Sequence, residues 1–138
     1  TFIQVKHPIM KIEHIALWCA DLEAMKDFYV RYFGGAAGEK YTNEKKGFSS
    51  YFLSFGADST RLELMHSIHT DHSARNDGLR KGPAHFAFSA GSRRAVDELT
   101  SLLENDGFSV MSYPRTTGDG YYESAVEDPE GNAVEITV

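Results

Sequence analysis

The chain is poor in cysteine: Cys19 is the single one among 138 residues. An internal disulfide is therefore impossible, and a reducing cytoplasm is the expected compartment. Positive charge is also short. Fourteen Lys and Arg face twenty Asp and Glu, a net charge of -6. Nucleic acid, which would want a basic face, is not the expected partner. No apolar run approaches the ~20 residues of a membrane span, so no membrane partner is expected. Thr1–Met10 lacks the pattern of a signal peptide, because Lys6 and His7 interrupt it. No G-x-S-x-G, P-loop or dinucleotide fingerprint occurs. What is present is 41% hydrophobic and 12% aromatic residues, enough for one globular domain over 1–138.

A repeat divides that domain. His14-Ile-Ala-Leu17 returns as His85-Phe-Ala-Phe88, 71 positions on. Arg61-Leu-Glu-Leu-Met65 returns as Ala133-Val-Glu-Ile-Thr137, 72 positions on. Two matches in order, at nearly one offset, point to a duplicated module. The elements agree. An apolar run over 11–19 predicts a strand. Asp21 then offers an N-cap, and Leu22, Met25, Phe28, Tyr29, Tyr32 and Phe33 recur at helical spacing until Gly34-Gly35. Strands follow over 36–44, 47–56 and 59–66. In the second half 84–89 is the strand and Ser92 the cap. Ala95, Val96, Leu99, Leu102 and Leu103 form the stripe, and Gly107 closes the helix. Strands over 108–114, 121–127 and 132–138 complete it. The order is βαβββ twice: modules 10–66 and 83–138, joined by a polar, turn-rich linker over 67–82.

Side chains alternate across a strand. Ile15 and Leu17 share one face, so His14 takes the other with Ala16 and Trp18. Leu62 and Leu64 leave Glu63 opposite. Phe86 and Phe88 leave His85 opposite, and Val134 and Ile136 leave Glu135. With the apolar faces on the helices, His14, Glu63, His85 and Glu135 all fall on the helix-free side. Carboxylates between apolar strand neighbours are poorly solvated unless paired. Two neutral imidazoles and two carboxylates balance a divalent cation, and a mixed N2O2 set suits Ni, Co, Mn, Fe or Zn. A lone strand His or Glu is ordinarily structural, but four at repeated positions on one face favour the metal. The rival cluster, His66, His69 and His72, lies among polar residues and reads as solvated loop. Cys19 falls on the Ile15/Leu17 face and reads as core.

With these motifs the chain resembles the vicinal oxygen chelate superfamily of glyoxalase I, bleomycin-resistance proteins and extradiol dioxygenases. The matching stretches are His14-Ile-Ala-Leu with Asp21-Leu22 and Phe28-Tyr29, Arg61-Leu-Glu-Leu, Gly82-Pro-Ala-His85-Phe-Ala-Phe, and Asp128-Pro-Glu-Gly-Asn-Ala-Val-Glu135-Ile. The resemblance implies an α+β fold in which two tandem βαβββ modules form a curved, mixed-sheet cup with a metal at its floor. The family's metal positions match His14, Glu63, His85 and Glu135 one by one, with one divalent ion (Ni, Zn, Co, Mn or Fe). All four match the glyoxalase I pattern, whereas thiol-transferase and dioxygenase relatives usually keep three.

The implied activity is that of a glyoxalase I-like (lactoylglutathione lyase-like) lyase or isomerase. It acts on a small substrate with vicinal oxygens through an enediolate. Glu135 is the first choice for the base that moves the proton, and Glu63 the other exchanging carboxylate. A homodimer is implied too, since relatives often complete their cups with modules from different chains. Trp18 stands where bacterial glyoxalase I typically has an Arg, and Ser67 where it has an Asn. An aromatic ring cannot replace a charge-assisted bond to a carboxylate, so glutathione is in doubt as part of the substrate. Arg61 is a candidate to act differently. Trp18 is itself a candidate for substrate contact, as are Arg115, within the loop 114–120, and Tyr122, just after it; a solvated hairpin tip is the alternative for that loop. The competing function is a metal-free binding or resistance module of bleomycin-resistance type. A dioxygenase or thiol transferase of the same superfamily is the third.

Overall fold

The computed structural model describes residues 12–57, 59–70, 85–118 and 120–138. Its elements run β1 (His14–Trp18), α1 (Leu22–Phe33), β2 (Ala36–Ala37), β3 (Tyr41–Asn43), β4 (Phe48–Ser54) and β5 (Arg61–Ser67). They continue with β6 (Phe86–Ser89), α2 (Arg93–Asn105), β7 (Val110–Thr116), β8 (Tyr122–Glu127) and β9 (Ala133–Thr137). The first half forms a sheet of order β1-β5-β4-β2, with β3 also on β4. The second forms β6-β9-β8-β7. In each, the first strand pairs parallel with the last and the remaining pairs are antiparallel. The mixed α+β architecture of two βαβββ modules is therefore present.

Both helices start as their sequences predict. The Asp21 side chain accepts from the Ala24 amide, and the Ser92 hydroxyl from Ala95. Gly34 ends α1 in the left-handed region at φ 70, where a side chain would be strained. Two expectations need correction. The strand expected over 36–44 is two short strands, because the register against β4 slips by one residue between Ala37, opposite Leu53, and Tyr41, opposite Ser50. Leu102 is not part of the buried stripe of α2; Val96, Thr100 and Leu103 are, and Leu102 lies off their angle, exposed.

The core is continuous between the halves. Cys19, Met25, Tyr29, Leu53, Leu64, Val96, Leu103, Val126, Val134 and Ile136 are fully buried. Rings bridge the halves: Phe33 and Phe55 meet Phe88 at centroid distances of 4.5 and 4.9 Å, and Phe28 meets Phe108 at 4.9 Å. Polar latches fix the register of this packing. The buried Tyr29 hydroxyl donates to Asp128 at 2.7 Å. The Glu130 carboxylate accepts from the backbone amides of Ala20 and Asp21, at 2.6 and 2.8 Å, where α1 begins and its dipole favours an anion.

Candidate metal centre

The sheet registers place the four ligand candidates. In β1, His14, Ala16 and Trp18 lie beside Arg61, Glu63 and Met65 of β5. Leu62 and Leu64, on the opposite face, are buried. In the second half Ala87 lies beside Glu135, and His85 immediately precedes β6. Each half thus holds one His and one Glu on its helix-free face. His14 Nε2 is 3.8 Å from Glu63 Oε1, and His85 Nε2 is 3.1 Å from Glu135 Oε1. The glutamates are the more enclosed partners and the imidazoles the more exposed.

The four residues come together as two pairs. Among the described residues, no three His, Cys, Asp or Glu side chains gather closely enough to hold an ion. Both pairs expose unsaturated donor atoms on open faces, and each supplies one imidazole nitrogen and one carboxylate. That donor chemistry fits half of an N2O2 shell for a divalent metal.

A residue the sequence reading passed over supports His14. Glu13 Oε1 lies 3.6 Å from His14 Nδ1, on the far side of the ring from Glu63. A carboxylate hydrogen-bonded behind the second nitrogen is the usual support of a metal-binding imidazole; Glu13 stands near that place, just beyond hydrogen-bond distance. Glu13 also binds Arg61, through Nε at 3.2 Å and through Nη2. The Arg61 hydrogen bond holds the Glu13 carboxyl below its ordinary range. The guanidinium lies over the Phe52 ring, 4.2 Å from its centroid, and Phe52 meets the His14 ring edge-on at 5.4 Å. Arg61 is thereby committed to the frame of the pair.

The remaining candidates separate. Trp18 shares the helix-free face with His14 and stands exposed. Arg115 pairs in register with Glu123 near the end of β7, exposed, its Nε 3.4 Å from the Ser112 hydroxyl. Tyr122 sits elsewhere: it shares a face with the buried Ser124 and Val126, its hydroxyl donates to Asp97 of α2, and Arg93 lies over its ring at 4.7 Å. Counting by twos from Val126 would have put it on the α2 side. His66, expected in a solvated loop, lies in β5 and directs Nδ1 to the Cys19 carbonyl at 2.8 Å; His69 is exposed in the following turn, and His72 lies outside the described residues. Cys19 is buried, and its thiol is pushed up to about 12, first by burial and then by Glu130, which suits core packing and not nucleophilic chemistry.

Comparison with known proteins agrees with this architecture. The family described as the Glyoxalase/Bleomycin resistance protein/Dioxygenase superfamily matches residues 11–136. The uncharacterized protein YqjT of Bacillus subtilis is 28% identical over 128 residues, covering 91% of this chain and 96% of that protein. Among solved structures, lactoylglutathione lyase from Agrobacterium tumefaciens is 26% identical with a TM-score of 0.68, covering 95% of each chain. Glyoxalase I from Zea mays superposes with a TM-score of 0.75 at 22% identity; it covers 92% of this chain, which spans only 44% of the maize one. Among the described residues, no helix is long and apolar enough to cross a membrane.

Proposed function

The chain belongs to the Glyoxalase/Bleomycin resistance protein/Dioxygenase superfamily, and on that premise we propose that it is a divalent-metal-dependent lyase or isomerase of glyoxalase I type. Its substrate is a small molecule with two vicinal oxygens. The observation that carries this reading is the duplicated His–Glu pair, His14 with Glu63 and His85 with Glu135, on equivalent strands of two sheets.

His14, Glu63, His85 and Glu135 together would hold the ion. When bound, it supplies Lewis-acid charge opposite the substrate's oxygens. Glu135 would take a proton from one carbon of the substrate and return it to the neighbouring carbon; Glu63 is the alternative base. Because one chain gathers the ligands only in pairs, a second copy completes the shell. The first-half pair of one protomer meets the second-half pair of its partner, in a homodimer.

Metal analysis of untagged protein tests the proposal. One divalent ion per complete four-residue site is expected, with the proton transfer restored by Ni, Co, Mn or Zn after stripping. Turnover of methylglyoxal is then compared across several thiols. Protein without stoichiometric metal, and without rescue by any of these ions, would leave a binding module and overturn the enzyme.

A further inference from the structure

The helix-free face of the first sheet continues past His14 and Glu63 into an aromatic wall. Trp18 lies beside Met65, Met65 beside Ser50, and Ser50 beside Tyr41. The next row sets Phe48 between Ser67 and Asn43. Trp18 meets Phe48 edge-on at 6.3 Å, and Phe48 meets Tyr41 at 6.1 Å. Trp18 is 57% exposed and Tyr41 56%. Large rings left open side by side mark a surface that receives something.

Charge and distance narrow what it receives. Those two rows contain no charged side chain. Arg61, the cation beside the ligand pair, is engaged by Glu13 and stacked on Phe52. An anionic group would therefore meet Glu13 and Glu63 without a free cation from these strands. An uncharged ring would find ring edges and the Met65 thioether instead. Met65 is two residues beyond Glu63 and Trp18 four beyond His14, roughly 7 and 13 Å along the strands.

We propose that this wall receives an uncharged aromatic or extended apolar arm of the substrate, with Trp18 and Phe48 as specificity-determining residues. The arm reaches roughly 7–13 Å from the two oxygens at the metal. The proposal rests on the metal-dependent reading above and names its substrate class.

Hydroxamates test it, because they offer one pair of oxygens with different arms. Acetohydroxamate has no arm, benzohydroxamate one ring, 4-phenylbenzohydroxamate two, and 4-carboxybenzohydroxamate a charged one. Their affinities for the metal-loaded full chain are measured by calorimetry. Trp18, the single tryptophan, reports the wall by its own fluorescence. The two-ring compound is expected to bind at least about tenfold tighter than acetohydroxamate and to quench Trp18, while the carboxylate gains nothing. In Trp18→Ala and in Phe48→Ala the two-ring to no-arm ratio falls to about two or less.

Equal affinity for every hydroxamate, an equal gain from the charged arm, or a ratio unchanged in both variants would overturn the arm site alone. A change only in oligomeric state for Trp18→Ala would assign the wall to a protein interface and also overturn it. Failure of all four compounds, acetohydroxamate included, would remove the metal-dependent reading and this one with it.

Discussion

The two halves share a fold and a His–Glu pair but present opposite surfaces around it. The face that holds His14 and Glu63 also carries Trp18, Tyr41, Phe48 and Phe52. Beside His85 and Glu135 stand Ala87, Ser89, Glu123, Ala125 and Thr137. The backbone correspondence is close. The Cys19 amide bonds the Met65 carbonyl at 2.7 Å, and the Ala90 amide bonds that of Thr137 at 2.6 Å. The two modules share the His–Glu placement, while the remaining side chains of that face differ. On the proposed function, the first half would grip the substrate and the second would do the polar work on it.

The strongest way to break that comparison is to neutralise each glutamate. Glu135→Gln is expected to cost about 10²- to 10⁴-fold in turnover, as loss of a general base does. Glu63→Gln should cost clearly less in kcat for equal metal content. Turnover of the methylglyoxal hemithioacetal, with metal measured on the same samples, checks both. Equal losses would make the halves chemically interchangeable and withdraw Glu135 as the base.

The turns before β5 and β9 differ in the same way, and this bears on stability. Asp128, buried, accepts from the Tyr29 hydroxyl, the Glu130 and Asn132 amides and the Asn132 side chain, all within 2.7–2.9 Å. In the turn before β5 the Ser59 hydroxyl accepts from the Phe55 amide at 3.1 Å. Asp128→Ala leaves several buried donors without a partner and should cost about 3 kcal/mol; Ser59→Ala should cost about 1 kcal/mol. Urea unfolding measures both. Similar losses would show that Asp128 does not join the halves.

A smaller effect concerns the support of the imidazoles. Glu13 stands behind His14, whereas Ala84 precedes His85 in the sequence. Glu13→Gln should weaken metal binding about tenfold, the low end for removal of such a partner. Competition with a chelator reads this directly. An unchanged affinity would confine Glu13 to holding Arg61.

Much of this was legible in the sequence, and what was not has a physical cause. Period-two alternation gave the faces of His14, Glu63 and Glu135, and helical spacing with its caps gave α1 to within a residue. Both are local signals. The engagement of Arg61 by Glu13 joins residues 48 apart, and the Glu130 clamp on α1 joins residues 109 and 110 apart. No local pattern encodes such contacts. Tyr122 is different: alternation from the buried Val126 places it against α2, although it follows a loop directly. The proposed meeting of the two pairs would join separate chains, and strand patterns describe only one chain.

Cys19 gives the finest comparison, because the matching backbone position is Ala90. Burial, reinforced by Glu130 and Asp128, raises the Cys19 thiol from 9.0 to about 12 in the folded chain. The thiol therefore ionises more easily in the unfolded chain. Its contribution to stability is complete below about pH 9 and is lost progressively as pH rises towards about 12. Between about pH 8 and pH 10 that loss is about 1 kcal/mol. Cys19→Ala should remove this contribution to the slope. Tyrosines and lysines titrate over the same range in both proteins, so the difference between their urea midpoints at the two pH values isolates the thiol. Parallel alkaline profiles would show that the folded structure lets the thiolate reach solvent, and that the packing of Cys19 against α1 and the Asp128 turn is looser than its burial implies.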